Sequence, residues 1–410
     1  MTISSSKVAN ALTMNLAYKF FEAAHMQRWN DHLRPVEFTE LDKQAHKMTI
    51  AWALASFQVR EKGDDVDWSV LIESAMFSFL QRIVITDLKP PIFHRIKREK
   101  GKELNEYVLR EINAAVPNME PALKERFKDY LATEDRDGIE HRILKAAHYL
   151  ATKYEFDLVY AANPSMMGVE DTRRNIEMQI EDHYDLIGVQ RIQLQKRSHG
   201  FVEFCGQLRF QQRWSRSPRI PRTTVLGHML LVANMAYLHS LDLGLGKKRA
   251  CNNYFCALFH DLPEVLTKDI ISPVKRSVEG LEEVLDEMEK ELVEEKLLPL
   301  LPSQWHADFR YLLMNPFDDR KRVQNGDELK RVPLDEGGLP ADDDDEIDAV
   351  DGTIVKACDL LAAFMEATIS IKYGISSRAL SDGKEDLYKV ISERFPHFSG
   401  LMKDIDNMDI

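Results

Sequence analysis

Phe259-His260-Asp261-Leu262-Pro263-Glu264, followed by Asp269, Pro273 and Lys275, is the stretch on which the reading of this chain turns. An adjacent His-Asp pair offers a divalent cation one imidazole nitrogen and one carboxylate oxygen. That mixed donor set suits Mn, Fe, Co, Ni or Zn better than Mg. Two ligands do not hold a catalytic metal, so partners are expected elsewhere. His228 sits in an apolar helical stretch (Val225, Leu226, Met229, Leu230, Val232, Ala233), and Asp359 interrupts another (Ile354, Val355, Ala357, Leu360, Leu361, Phe364). An unpaired carboxylate on a buried helix face is costly, and coordination of a cation would account for it. One divalent metal held by His228, His260, Asp261 and Asp359 is therefore expected.

Glu264 follows Asp261 by three residues. If the turn stays helical, its carboxylate shares the ligand face and reaches a metal-bound water, whose pKa such a site lowers to roughly 7. Pro263 lacks an N–H and ends or kinks the helix, so Glu264 is expected to open a new short helix.

The order His, His-Asp, Asp resembles the HD superfamily, whose metal site is assembled from separate helices of an all-α fold. Within it, the run from His260 to Lys275, together with Arg213-Trp214 ahead of His228, resembles the bacterial 5′-deoxynucleotidases of the YfbR type. The resemblance implies hydrolysis of a phosphomonoester, typically a deoxyribonucleoside 5′-monophosphate. Asp261 and Glu264 would carry the chemistry, and Arg213, Trp214 and Asp269 would contact phosphate and sugar. One departure stands out: the family usually has Glu before the first ligand histidine and Ser after it, whereas this chain reads Gly227-His228-Met229.

Such relatives are about half this length, and the other half of the chain resembles a second copy of the same unit. At an offset of 182, Ala75 to Pro91 aligns with Ala257 to Pro273 and His46 with His228. Arg28-Trp29 is similar to Arg213-Trp214, and Ile143 to His148 to the segment Ile354 to Asp359. Ser78, Phe79 and Arg82 replace His260, Asp261 and Glu264 there, so the N-terminal copy is not expected to bind metal, and His46 and His148 read as core residues. The expected architecture is two tandem HD-type helical domains, residues 1–195 and 196–410, the second carrying the site. The junction at Gln190 to His199 is expected to be a continuous helix. The N-terminal unit would act as an intramolecular pseudo-dimer partner, and a homo-oligomer is the alternative.

With 410 residues and 44% hydrophobic content the chain can bury two sizeable cores. Three- and four-residue apolar spacing, as over Asp42 to Val59 and Ile354 to Ile371, predicts helices throughout. Cys205, Cys251, Cys256 and Cys358 lack paired spacing and no apolar run of about 18 residues was found; a cytoplasmic protein without a membrane partner is expected. A net charge of −13 argues against broad nucleic-acid binding. Arg213, Arg216, Arg219 and Arg222 form a local exception that could steer phosphate, contact a strand backbone or be solvated. The acidic run Asp342 to Glu346 lacks the spacing of a calcium loop and reads as a solvated insertion. Two further readings stay open: a phosphodiesterase or nuclease using the arginines, and a nucleotide sensor with little turnover.

Overall fold

The computed structural model describes residues 10–86, 90–133, 137–268, 280–325, 328–333 and 348–409. Asp269, Pro273, Lys275 and the acidic run Asp342 to Glu346 lie outside the described residues. The architecture is helical. In the first half come α1 (Met14–Glu22), α2 (Glu40–Phe57), α3 (Trp68–Ile85), α4 (Pro90–Ala115, kinked at Lys100), α5 (Pro121–Ala132), α6 (Ile139–Ala162), α7 (Val169–Glu181) and α8 (Ile187–Gln193). In the second come α9 (Arg197–Gly206), α10 (Val225–Asp242), α11 (Lys247–Phe259), α12 (Glu264–Thr267), α13 (Leu281–Leu292), α14 (His306–Leu313), α15 (Gly352–Lys372), α16 (Arg378–Arg394) and α17 (Ser399–Asn407). Strands are few. β1 (Gln27–Arg28) pairs with β2 (Phe38–Thr39), and β3 (Arg320–Asn325) lies antiparallel between β4 (Glu328–Pro333) and β5 (Ala349–Val350).

Two helices form the middle of the molecule. All eighteen residues of α2 are buried, including Glu40, Asp42, Lys43, Gln44, His46 and Lys47. Helix α10 is buried over almost its whole length. Their N-termini are built alike: the Thr39 hydroxyl accepts from Asp42 N, and the Thr224 hydroxyl accepts from Gly227 N, each satisfying an otherwise orphaned donor. The two ends meet. The Thr224 hydroxyl donates to Asp42 Oδ1 at 2.6 Å, and a Cβ on Gly227 would lie 2.8 Å from the same oxygen and 3.0 Å from Leu41 Cδ2. The glycine that departs from the family pattern is thus imposed by the close approach of α2.

The capping geometry corrects the internal alignment. Gln27-Arg28-Trp29 matches Gln212-Arg213-Trp214, and Thr39 matches Thr224, at an offset of 185, three more than the sequence reading used. The pairing Gln27 to Thr39 has its counterpart in the bridge Gln212 to Thr224, and Trp29 and Trp214 both adopt positive φ, 54° and 57°. Lys43, one turn earlier than His46, therefore takes the place of His228. The offset of 182 holds in the second part of the next helix, from Ser78 opposite His260 to Thr86 and Lys268, which share a φ of 67°.

The core is one continuous cluster. Trp52 of α2 packs edge-on against Phe259 at 5.1 Å and tilted against Phe309 at 5.1 Å, so the first half clamps the residue that precedes His260. Helix α3 is 18 residues with a mean hydropathy of 1.3, long and apolar enough to cross a membrane by length and composition alone. The sequence reading passed over it because Glu73, Gln81 and Arg82 interrupt its apolar run. Leu71, Ile72, Phe79 and Leu80 are buried in the core. The junction is not a continuous helix either. Helices α8 and α9 are separated at Leu194 to Lys196, where Gln195 takes a φ of 55°.

A buried ionic cluster lies under α2. Arg28 bridges Glu40 (2.7 Å) and Glu155 (2.8 Å), and Arg209 reaches Glu155 at 2.9 Å. Burial alone would raise the Glu40 carboxyl, but Arg28 and Lys43 outweigh it and lower it from 4.5 to about 2. The stabilisation this carboxylate contributes is complete above its unfolded value and is lost as pH falls through the folded one. Acid titration of stability should therefore be steeper between pH 4.5 and about 2 for the native chain than for Glu40→Gln. Urea denaturation should also show Gly227→Glu costing about 1–3 kcal/mol through overpacking, with a smaller cost in an Asp42→Gly background because the two sites touch.

Candidate metal centre

Three buried elements deliver the ligands. His228 is the fourth residue past the Thr224 cap of α10, His260 opens the turn after α11, and Asp359 lies on α15. A buried network ties the last two together: Asp351, at the N-terminus of α15, accepts from Arg249 Nε at 2.8 Å and from Asn253 Nδ2 at 2.9 Å, both on α11. His228, His260 and Asp359 each offer one ligand atom, all within 4.8 Å of one another. His228 Nε2 lies 3.1 Å from Asp359 Oδ1, and His260 Nε2 lies 4.0 Å from the same oxygen.

The imidazoles are prepared for a cation. His260 Nδ1 lies 2.6 Å from the Ala257 carbonyl. A carbonyl only accepts, so Nδ1 carries the proton and the Nε2 lone pair faces inward. That buried Nε2 has no hydrogen-bond partner, a cost that a metal ligand does not incur. The residues present fit a divalent metal, and the donor set of imidazole and carboxylate suits Mn, Fe, Co, Ni or Zn.

Asp261 lies beside this trio. Its Oδ2 is 3.2 Å from His260 Nε2 and 3.3 Å from Arg213 Nη1, and Arg213 Nη2 is 3.9 Å from Asp359 Oδ1. Burial alone would raise the Asp261 carboxyl; in the metal-free protein His260, when protonated, and Arg213 outweigh it and hold it well below the usual carboxylate range. Asp359 is likewise held low against its burial, by Lys356, His228 and His260. The site thus carries ionised carboxylates at neutral pH.

The turn Asp261 to Pro263 separates α11 from α12, which Glu264 opens. Glu264 is nearly buried, its carbonyl accepts from Gln211 Nε2 at 3.0 Å, and its charge acts on Arg213. Trp214 is partly exposed. Its Nε1 donates to Glu366 Oε2 at 3.1 Å, and its ring packs against α16, where a Cβ on Gly383 would lie 2.7 Å from Trp214 Cζ3. Arg219, one of the four arginines that could steer phosphate, contact a strand or be solvated, is buried and lies 3.1 Å from Glu366, whereas Arg216 and Arg222 are exposed. Cys256 and Cys358 are fully buried.

Glu366 was missed by the sequence reading. It is fully buried, accepts from the Thr223 hydroxyl at 2.8 Å and lies 3.4 Å from His228 Nδ1, so it braces the imidazole from behind while holding Trp214 and Arg219. Burial would raise its carboxyl, but Arg219 and His228 keep it ionised. A signal existed: Glu366 follows Asp359 by seven residues, two helical turns, as Glu155 follows His148.

A profile of the HD domain matches residues 205–388. A 5′-deoxynucleotidase of Vibrio vulnificus is 30% identical over 134 residues, which is 32% of this chain and 67% of that protein. The chain belongs to the HD superfamily. Other 5′-deoxynucleotidases share part of the HD region: one from Shewanella oneidensis is 28% identical over 127 residues, 30% of this chain and 63% of the relative. Another, from Pasteurella multocida, is 25% identical over 186 residues, 44% of this chain and 77% of the relative. The chain spans 67% and 63% of the first two relatives' length.

Chelator-treated protein should gain thermal stability on addition of Mn, Co, Ni or Zn, by about 2.7 kcal/mol at a hundredfold excess over Kd. His260→Ala and Asp359→Ala should abolish the gain. Glu366→Gln should weaken metal affinity by roughly 10–100-fold, read by competition with a chromophoric chelator.

Proposed function

We propose that this chain is a metal-dependent phosphohydrolase of the 5′-nucleotidase type, acting on deoxyribonucleoside 5′-monophosphates. The observation that carries the reading is the Arg213 guanidinium set against the ligand cluster, 3.3 Å from Asp261. A planar, permanently charged donor beside a metal pocket is suited to a phosphate dianion. The substrate class draws support from the names of the relatives.

A bound divalent ion would supply a polarised phosphoryl oxygen and a water of lowered pKa. His228, His260, Asp261 and Asp359 would hold it. Arg213 would exchange its contacts with Asp261 and Asp359 for the phosphate oxygens. Glu264 would take the proton of the attacking water as the water oxygen bonds to phosphorus. The phosphorus–O5′ bond would break, and the proton taken up by Glu264 would be returned to O5′ of the departing nucleoside. Trp214 would present its ring to the sugar, since its N–H is committed to Glu366, and Asp269 is the proposed sugar contact by resemblance. Arg219 is occupied by Glu366, which leaves only Arg216 and Arg222 for a strand and weighs against strand cleavage.

The same reading treats residues 1–195 and 196–410 as tandem units. The matched caps at Thr39 and Thr224, the paired Arg-Trp elements and the buried Glu155 and Glu366 support it.

Phosphate release from a panel of deoxy- and ribonucleotides, with each metal in turn, tests the proposal. Deoxymonophosphates should be hydrolysed, Asp261→Ala should abolish release, and Glu264→Ala should lower kcat by about 10²–10⁴-fold, the usual size of a general-base contribution. Arg213→Lys should raise KM. Cleavage confined to cyclic nucleotides or strands would overturn the reading.

A further inference from the structure

The N-terminal half keeps the geometry of the metal centre but changes its charge. Lys43 stands where the other half has His228, and His148 where it has Asp359. The Lys43 Nζ contacts His148 Nδ1. The Lys47 Nζ, one turn along α2, lies 3.3 Å from the hydroxyl of Ser78, which stands in place of His260. The residues that could hold a cation in one half are replaced by basic side chains in the other.

These amines feel the charge of Glu40 but touch no carboxylate directly. Lys43 is 0% exposed and Lys47 is 4% exposed. Among the described residues Lys43 Nζ meets only His148 and Lys47 Nζ only Ser78, neither of them a carboxylate. The nearby carboxylates are committed elsewhere: Glu40 and Glu155 to Arg28, Glu155 also to Arg209, and Asp42 to Thr224. Arg82 adds a further cation 3.7 Å from Glu40. Buried cations in excess of anions are costly unless an anion joins them. Burial pushes both amines down, Lys43 well below the usual lysine range and Lys47 to about 8, so the charge on each is favoured when an anion joins it. His148, in contact with Lys43, is exposed to solvent and marks the side from which an anion would approach.

We propose that the N-terminal half carries a second, non-hydrolytic anion site, in which Lys43, Lys47 and Ser78 bind the phosphate of a nucleotide at the position equivalent to the metal centre. The choice of a nucleotide phosphate rests on the phosphohydrolase reading of the other half; the cationic pocket itself does not. A bound phosphate dianion would be held by the two ammonium groups and the Ser78 hydroxyl, with Arg82 at the edge. Without the His-Asp pair and Glu264 nothing there activates water, so the ligand is retained intact.

Equilibrium dialysis of the full chain against deoxyadenosine monophosphate in EDTA tests this with turnover silent. The background is Arg213→Met with Asp261→Ala, which disables phosphate capture at the HD centre. One equivalent is expected to bind, to be displaced by inorganic phosphate, and to weaken at least tenfold on Lys47→Met. Lys47→Arg should retain it. Lys43→Met should lose it as well, and Ser78→Asp guards against a variant that fails to fold. That substitution supplies an internal carboxylate to Lys47, so it should raise Tm and abolish binding together. Absence of binding, or binding indifferent to Lys47→Met and Ser78→Asp, overturns the proposal. Metal-loaded phosphate release by Lys47→Met in the otherwise native chain is measured in parallel. Turnover that persists while dialysis shows no second site refutes the inference alone, and binding without turnover in the native chain refutes only the nucleotidase reading.

Discussion

A carboxylate with no exposure to water organises the centre. Glu366 stands two turns beyond Asp359 on the same helix, and four groups converge on it: the imidazole of His228, the indole N–H of Trp214, the hydroxyl of Thr223 and the guanidinium of Arg219. Leaving such a group uncompensated would be strongly destabilising. The loop from Arg213 to Thr223 therefore has to close over it, and the closure sets where Arg213 meets the ligand cluster. One charge so disposed fixes an imidazole, a loop and the arginine that faces the substrate space.

The second constraint comes from the other half of the chain. His228 can sit where it does because Thr224 caps α10 while donating to Asp42, and His260 because Phe259 is wedged against Trp52 and Phe309. A single HD domain would have to find these supports within itself or in a neighbour. Here they come from α2, a helix with six polar or charged residues in its first eight positions, all buried. Its polarity is intelligible as the cost of carrying the ionic network around Glu40 and Glu155.

The helical class was legible in the sequence because apolar spacing reports directly on helices, and the candidate ligands His228, His260 and Asp359 come together in the fold. Four things were not legible. The role of Gly227 depends on a helix remote in sequence, so its local context read only as a missing Glu. The register between the halves slipped by three residues because His46 attracts the eye one turn past Lys43; the Gln-Arg-Trp triplets, with their left-handed tryptophans, were the better anchor. Glu366 passed unnoticed because an acidic residue within a long helix is ordinarily a solvated one. The hairpin of β3 and β4 escaped because its strands, rich in Arg and Lys, do not alternate like half-buried ones.

Asp42 against Gly227 has a further consequence. In a symmetric pair of identical chains, a residue on the two-fold axis faces its own copy, so whatever side chain it carries must tolerate itself. Two carboxylates would repel there, and two glycines would leave a gap. A single chain escapes that rule: one side of the axis can grow while the other shrinks. Asp42 and Gly227 belong to one chain, so the contact that locks α2 to the head of α10 can be unequal on its two sides and is insensitive to dilution.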